Sequence, residues 1–422
     1  MKNIKSAIDI FLQNTDNKLL TALNSCVHCN LCCTSCHFYK ASPKLNYSPS
    51  KKVDVVASVY RKYGTFTGKF FPQLVHAKAL DEKTIREMTD LLFGSCTLCG
   101  RCATHCSVGV DIPFVVKTGR RMLAAMGYVP DSLKQSIQNT LTTGNNMALT
   151  EEDFVDTVEW MQEESQDEMG TDFTIPIDKL DCDYFYTLNP REVKFYPLSI
   201  AAVAKIFYAA HAKWTLSTQK YDITNYGYFS GDNKITGEIA AKIYDEVTHL
   251  KAKTLVLGEC GHGSRTLRWE APNILKQKPD FEILTMLELI AHLLKSGKIK
   301  VNPIDNNKVY TIHDPCNISR NGGLFDIFRF VVKSIVKNVV EMTPTGIDNF
   351  CCGGGGGLLA MGEYNDRRIL AGKMKADQIR ATGANVVITT CHNCIDQLVQ
   401  LNHTYDLHIE VKSVAEIVAD VL

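Results

Sequence analysis

The chain has 422 residues, 45% hydrophobic and 22% charged, and its 46 Lys and Arg balance its 46 Asp and Glu. That composition is globular, with length for two or three domains, and the charge balance gives no case for nucleic acid or a bulk anionic surface. It also holds sixteen cysteines, of which all but Cys182 and Cys260 fall into three dense groups.

Met1 to Asp16 lacks the apolar stretch of a signal peptide and a twin-arginine pair. The most apolar window, Leu198 to Ala212, is interrupted by Lys205 and is too short to span a bilayer. A cytosolic protein is expected, touching a membrane only through a partner subunit. In the cytosol, cysteines at this density mean metal or redox chemistry rather than disulfides.

Residues 1–130 read as an α-helical, ferredoxin-like domain. Its first motif is Cys26-Val-His-Cys29-Asn-Leu-Cys32-Cys33-Thr-Ser-Cys36, and its second is Cys96-Thr-Leu-Cys99-Gly-Arg-Cys102-Ala-Thr-His-Cys106. Both contain C-x2-C-x2-C-x3-C, the run that wraps a cubane [4Fe–4S] cluster. Three cysteines hold one cluster while the fourth, on the following helix, reaches the other. This predicts Cys26, Cys29, Cys32 and Cys106 around one cubane, and Cys96, Cys99, Cys102 and Cys36 around the second. Zinc is the competing reading of each motif, although two such runs in tandem are rarely zinc sites. Cys33 is expected to be a buried thiol. A proline usually follows the fourth cysteine, and His37 and Ser107 stand there instead. Between the motifs, Ser50 is the expected cap of a helix over Lys51 to Arg61, and Asp81 of one over Glu82 to Phe93. Arg120 and Arg121, after the second motif, are read as balancing cluster charge.

Residues 131–180 form an acidic connector, read as a solvated helix face capped by Thr150, with a docking patch for a basic partner as the lesser reading. From Asp183 strands alternate with helices, which argues α/β. Strands are expected at Asp183–Leu188, Thr254–Leu257, Val309–Ile312 and Val386–Thr390. Helices are expected at Glu238–Leu250, Leu324–Glu341 and Asn365–Thr382. Three strands run into Gly-Glu-Cys260-Gly-His262, His313-Asp-Pro-Cys316 and Cys391-His392-Asn-Cys394. Open α/β sheets bind ligands at such strand ends.

The region reads as two pseudo-repeated halves, 181–300 and 301–422. The turn Phe350-Cys351-Cys352-Gly353 corresponds to Phe229-Ser230-Gly231-Asp232, and Cys391-x-x-Cys394 to Cys260-Gly-His262-Gly263. The first half is a degenerate copy that kept Cys260. Gly353 to Gly357 weakly matches a dinucleotide fingerprint, but glycines that let backbone skirt a cofactor are the better account. Cys182 is read as structural.

His-Asp-Pro-Cys316, Asn-Phe-Cys351-Cys352-Gly-Gly-Gly-Gly-Gly and Cys391-His-Asn-Cys394 together resemble the CCG domain of heterodisulfide reductases. The fused layout is similar to the D subunit of those enzymes. Gly-Glu-Cys260-Gly-His is closer to the K subunit of the sulfite-reductase-associated membrane complex and to the iron–sulfur subunit of the transmembrane redox complex. The resemblance runs from about residue 20 to the end. It implies one non-cubane [4Fe–4S] cluster held by Cys316, Cys351, Cys352, Cys391 and Cys394. The D subunit has two such sets and this chain one. The resemblance also implies an anaerobic, quinone-linked complex with a b-type cytochrome partner.

Cys260 then becomes a substrate-facing thiol across a pseudo-twofold, or a structural remnant. His262, His313 and His392 sit beside strand-end cysteines, where disulfide reduction would need protons; hydrogen bonding to backbone or sulfur is their plainer role. The expected function is iron–sulfur electron transfer coupled to thiol/disulfide-type chemistry, with a small thiol or disulfide or a redox protein as reactant. The runner-up is a relay subunit for a flavin-dependent dehydrogenase that oxidises glycolate or glycerol 3-phosphate.

Overall fold

The structure, a computed structural model, describes residues 4–422. Contacts divide the chain into two units. One takes the described residues through Lys134 with Tyr226–Asn233 and Phe350–Asp377, and the other takes Gln135–Asn225, Lys234–Asn349 and Gln378–Leu422. Both segments that return to the first unit contain a turn paired by the sequence repeat.

The first unit is helical. Its helix Pro49–Gly64 buries Val53, Val55, Val56, Ala57 and Val59. The cap is Ser48, not Ser50: the Ser48 hydroxyl accepts from Lys51 N at 3.1 Å. Pro49 explains the earlier start, because its fixed φ and missing N–H suit the first helical position. The Ser50 hydroxyl instead donates to Asn30 Oδ1 at 2.9 Å, in the first cysteine loop. Helix Glu82–Leu92 begins as expected, with Asp81 accepting from Thr84 N at 2.7 Å. Ile85, Met88, Leu91 and Leu92 line its buried face.

The second unit carries two parallel sheets. Strands β1 (Tyr184–Thr187), β2 (Trp214–Thr215), β3 (Thr254–Leu257) and β4 (Glu282–Thr285) order as β2-β1-β3-β4. Strands β5 (Tyr310–Ile312), β6 (Val386–Thr389) and β7 (Glu410–Ser413) order as β5-β6-β7. Thr-Leu-Val-Leu of β3 and Val-Val-Ile-Thr of β6 are buried throughout, the pattern of central parallel strands covered on both faces. One hydrophobic core includes Tyr186, Val256, Ile312 and Ile388 from both sheets, and Ile206, Leu289, Val332 and Ile417 from surrounding helices.

Strand β4 ends in Thr285, which caps Met286–Lys295 in a reciprocal capping box with Glu288. Strand β7 ends in Ser413, which caps Val414–Ala419 with Glu416 in the same way. The expected helix over Leu324–Glu341 stops at Ile335. Val336 and Val339 make parallel bridges with Ile304 and Tyr310 instead, since β-branched residues suit an extended edge. In the connector, helices Asp131–Thr143 and Glu151–Met169 form, the latter capped by Thr150 with Asp153.

Candidate iron–sulfur centres and strand-end thiols

The two cysteine loops of the first unit share one backbone design. In the first, His28 and Asn30 take left-handed φ of 55° and 59°; in the second, Leu98 and Gly100 take 55° and 84°. These positions match in the motif, two and four residues after the leading cysteine. Left-handed residues turn successive N–H groups inward, which makes an anion-binding concavity. Leu98 N accordingly donates to Cys96 Sγ at 3.4 Å, and Val110 N to Cys106 Sγ at 3.3 Å.

The thiols gather across the motifs. Burial, then the nearby Cys99, Cys96 and Cys36, push the Cys102 thiol well above its ordinary value. Burial pushes Cys32 up to about 12, with Cys33, Cys26 and Cys106 adding to it. Burial also raises Cys26, whose neighbours include Cys106 and Cys29. Thiols gathered beside inward N–H groups suit thiolates bound to a cationic iron cluster. Cys33 is buried beside Cys32, Cys36 and Cys29.

Cys351 and Cys352 lie in this first unit and are buried. A hydrogen bond with Cys351, then burial, raises the Cys99 thiol. A ligand candidate of the second cubane thus touches the Cys-Cys pair. Gly353 N donates to Cys351 Sγ at 3.4 Å. The Phe350 ring packs under the Arg101 guanidinium at 3.8 Å and the Lys40 ammonium at 5.6 Å.

Arg120 has a role that its sequence context does not signal. Fully buried, its guanidinium donates to four carbonyls: Leu92 at 2.9 Å, Cys96 at 2.7 Å, Phe229 at 2.6 Å and Gly356 at 2.9 Å. It therefore ties the second cysteine loop to both returning segments, and burial lowers its pKa to about 10. Close backbone approach accompanies this. A Cβ on Gly356, φ +66°, would stand 2.7 Å from Thr97 Cα; one on Gly231, φ +91°, would stand 2.5 Å from Arg121 N. The glycine run thus admits the cysteine loop itself.

In the second unit, β3 and β6 deliver Cys260 and Cys391 to one place. Gly261 N donates to Cys391 Sγ at 3.3 Å, and the Cys391 charge helps raise the buried Cys260 thiol after desolvation. Cys260 packs against aliphatic residues such as Leu257 and Leu267 on one side. On the other, Gly263 N, Asn189 Nδ2 and Asn393 Nδ2 approach its sulfur at 3.5, 3.6 and 3.9 Å. Cys391 is held below its ordinary value, chiefly by a hydrogen bond from Cys394. Cys182 is buried in the same apolar cluster as Cys260.

The histidines divide. His262 Nδ1 lies 2.6 Å from Asn393 Nδ2, joining the two strand-end turns. His392 turns to the Glu259 carbonyl at 3.2 Å, the Ser199 hydroxyl at 3.0 Å and Glu192 at 3.4 Å. Burial lowers His262 to about 3 and His392 to about 4, so both rings are neutral near pH 7. His313 is buried at the end of β5. There Asp314 fixes the approach to Cys316, bonded to Arg329 at 2.8 Å, Gly346 N at 2.9 Å and Ser319 at 3.0 Å. The Asn189 contact was missed by sequence reasoning. Its signal was Asn189-Pro190 after β1, matching Asp314-Pro315 after β5.

The family model described as 4Fe-4S dicluster domain matches residues 22–110, and that described as cysteine-rich domain (CCG) matches residues 310–399. The Hdr-like menaquinol oxidoreductase iron–sulfur subunit 2 of Archaeoglobus fulgidus is 27% identical over 98% of this chain and 82% of its own length. The D subunit of the dihydromethanophenazine:CoB–CoM heterodisulfide reductase of Methanosarcina barkeri is 26% identical over 96% of this chain and 97% of its own. The EtfAB:quinone oxidoreductase of Syntrophomonas wolfei is 22% identical over 94% of this chain, which spans 58% of that protein. The resemblance to the D subunit of heterodisulfide reductases is borne out, and the relatives are oxidoreductases or their subunits. Among the described residues, no helix is long and apolar enough to cross a membrane.

Proposed function

We propose that this iron–sulfur subunit, similar in sequence to the heterodisulfide reductase-like oxidoreductases, couples one-electron transfer through two cubane clusters to thiol/disulfide-type chemistry at a third, non-cubane [4Fe–4S] cluster. The observation that carries the reading is the crossed gathering of thiols, with Cys36 among the neighbours of Cys102 and Cys106 among those of Cys26 and Cys32. Cys26, Cys29, Cys32 and Cys106 hold one cubane. Cys96, Cys99, Cys102 and Cys36 hold the other. Cys316, Cys351, Cys352, Cys391 and Cys394 hold the third cluster, and all five fall within the CCG match.

Bound clusters supply reversible one-electron storage. The chain's own part is to gather their thiolates across the two motifs and to aim N–H groups at sulfur. At the strand ends it keeps Cys260 beside Cys391 as the reacting thiol. Asn189 and Asn393 orient that thiol, and His262, His313 and His392 line the proton side of the reaction. The Cys99–Cys351 contact supports transfer between the second cubane and the third cluster. The partners are a membrane cytochrome b-type subunit on the cytoplasmic side and a quinone pool, in keeping with the menaquinol oxidoreductase relative. A second reading, a relay from a flavoprotein, is favoured by the likeness to an EtfAB:quinone oxidoreductase.

Anaerobic purification with iron and acid-labile sulfide analysis tests the assignment. The expected content is about twelve irons per chain. About eight would remove the third cluster, and stoichiometric zinc would remove the whole reading. In redox-titrated paramagnetic resonance, Cys36→Ala is expected to damage the cubane of Cys96, Cys99 and Cys102. Damage to the other cubane instead would refute crossed ligation.

A further inference from the structure

Zero net charge overall conceals a local imbalance. From Val55 to Leu80 the chain holds Arg61, Lys62, Lys69 and Lys78 and not one Asp or Glu. The same stretch exposes large apolar side chains. Helix Phe66–Phe70, capped by the Thr65 hydroxyl, stacks Phe66 on Phe70 with ring centroids 4.7 Å apart. Yet these rings are 71% and 65% exposed, and Phe71 and Leu74 are 55% and 80% exposed. Four neighbouring side chains of this size make an apolar patch that water penalises.

The segment is held outward by its own hydrogen bonds. Lys78 N donates to the Ser58 carbonyl at 3.0 Å, Ala77 N to that of Pro72 at 2.8 Å, and Leu80 N to the Tyr63 hydroxyl at 3.0 Å. A cavity of about 540 Å³ lined by His28, Asp54, Arg61, Val75 and His76 sets this segment beside the first cysteine loop. His28 bonds Asp54 at 2.7 Å, and Val27, Leu31 and Cys29 are exposed on that loop. One face therefore combines aromatic side chains, cations and the rim of a proposed cubane.

We infer that this face docks directly on an anionic lipid bilayer, with the aromatic side chains at headgroup depth and Arg61, Lys62 and Lys69 against lipid phosphates. The inference rests on the proposed membrane-linked function and extends it: the chain touches lipid itself as well as a partner. Aromatic side chains between unbalanced cations match the headgroup boundary in both polarity and charge. Lys78 and Lys51 already share Glu87, at 2.7 and 3.4 Å, so the remaining three cations carry the attraction. The cytoplasmic loops of a membrane subunit are a poorer complement, because they carry excess Lys and Arg of their own.

The test is co-sedimentation of the cluster-loaded chain with phosphatidylcholine vesicles and with vesicles that also contain phosphatidylglycerol. Binding is expected only with phosphatidylglycerol, weakening as salt rises. The double variants Phe66→Ser with Phe70→Ser, and Lys62→Gln with Lys69→Gln, should each weaken it roughly tenfold, with both cubane resonances unchanged. Failure to bind anionic vesicles, or undiminished binding by both variants, overturns the inference. Binding only to vesicles that hold a reconstituted membrane subunit also overturns it, in favour of a protein interface. A chain with its full iron that ignores vesicles defeats the docking alone, whereas one that binds vesicles but takes up no iron defeats the functional reading alone.

Discussion

Strand β3 ends in Gly258-Glu259-Cys260-Gly261-His262, and β6 ends in Thr390-Cys391-His392-Asn393-Cys394. Both are central buried strands in the same kind of sheet, since β1-β3-β4 and β5-β6-β7 share one order. Both halves then pass through a second strand into a helix closed by a capping box, Thr285 with Glu288 and Ser413 with Glu416. Yet the sulfurs meet different surroundings. Cys391 has Cys394 at hand, which lowers its pKa, while desolvation and the Cys391 charge raise Cys260. The same backbone thus places two cysteines together on one side and, on the other, a single cysteine beside two asparagines. Under the proposed function, that difference would separate holding a cluster from facing it.

The largest effect that would sharpen this contrast is on iron. Cys391→Ser is expected to lose about four irons per chain, the third cluster, whereas Cys260→Ser keeps all three resonances and lowers turnover with a disulfide acceptor. Equal iron loss in both variants would erase the distinction. Where the halves are treated alike, Arg120 provides the next test, because it grips the carbonyls of Phe229 and Gly356 together. Arg120→Met should cost roughly 3–5 kcal/mol, read from anaerobic denaturant midpoints, and broaden the second cubane's resonance. A near-neutral result would mean that those carbonyls find other donors.

Gly231→Ala and Gly356→Ala break the likeness at two points. Each forces a Cβ into backbone at positive φ, so each should cost about 1–3 kcal/mol by the same measurement. A cost at Gly356 alone would show that the first returning segment is dispensable. The smallest effect expected is in pH dependence. Burial raises the Glu192 carboxyl to about 8. Its contribution is complete below the ordinary value of about 4.3 and is lost as pH rises through about 8. Thermal midpoints should therefore decline over that window, and Glu192→Gln should flatten the decline. An unchanged slope would assign it to Glu259, also buried and raised to about 7.

Much of this architecture was legible because local chemistry fixes it. The strands at β1, β3, β5 and β6 emerged from short runs of aromatic and β-branched residues, and the caps Asp81 and Thr150 from one residue each. Errors came where two signals compete. Ser48 and Ser50 flank a proline, and periodicity did not rank them. The valines after Ile335 continue an apolar pattern that suits helix or strand equally. The two cysteine loops of the first unit were readable from spacing, whereas the grouping of Cys316, Cys351, Cys352, Cys391 and Cys394 came from the family resemblance alone. The Arg120 clamp was not, since carbonyl partners carry no residue signature. Nor was the Asn393–His262 link, which exists only once two distant strand ends are brought side by side.

The order in which the chain leaves the ribosome gives the returning segments a further meaning. The first unit takes in Tyr226–Asn233 and Phe350–Asp377, so it is not complete when residue 134 has been made. Arg120 waits for Phe229 and then for Gly356 before its last carbonyls exist. Domains usually fold as units as they emerge, the N-terminal one first. Here the ferredoxin-like motifs are synthesised early but closed late. Most of the chain must be present before the second cysteine loop is sealed, which leaves a long interval in which iron can be loaded. A fragment ending at residue 134 would keep both cysteine motifs, yet lack the backbone that encloses them.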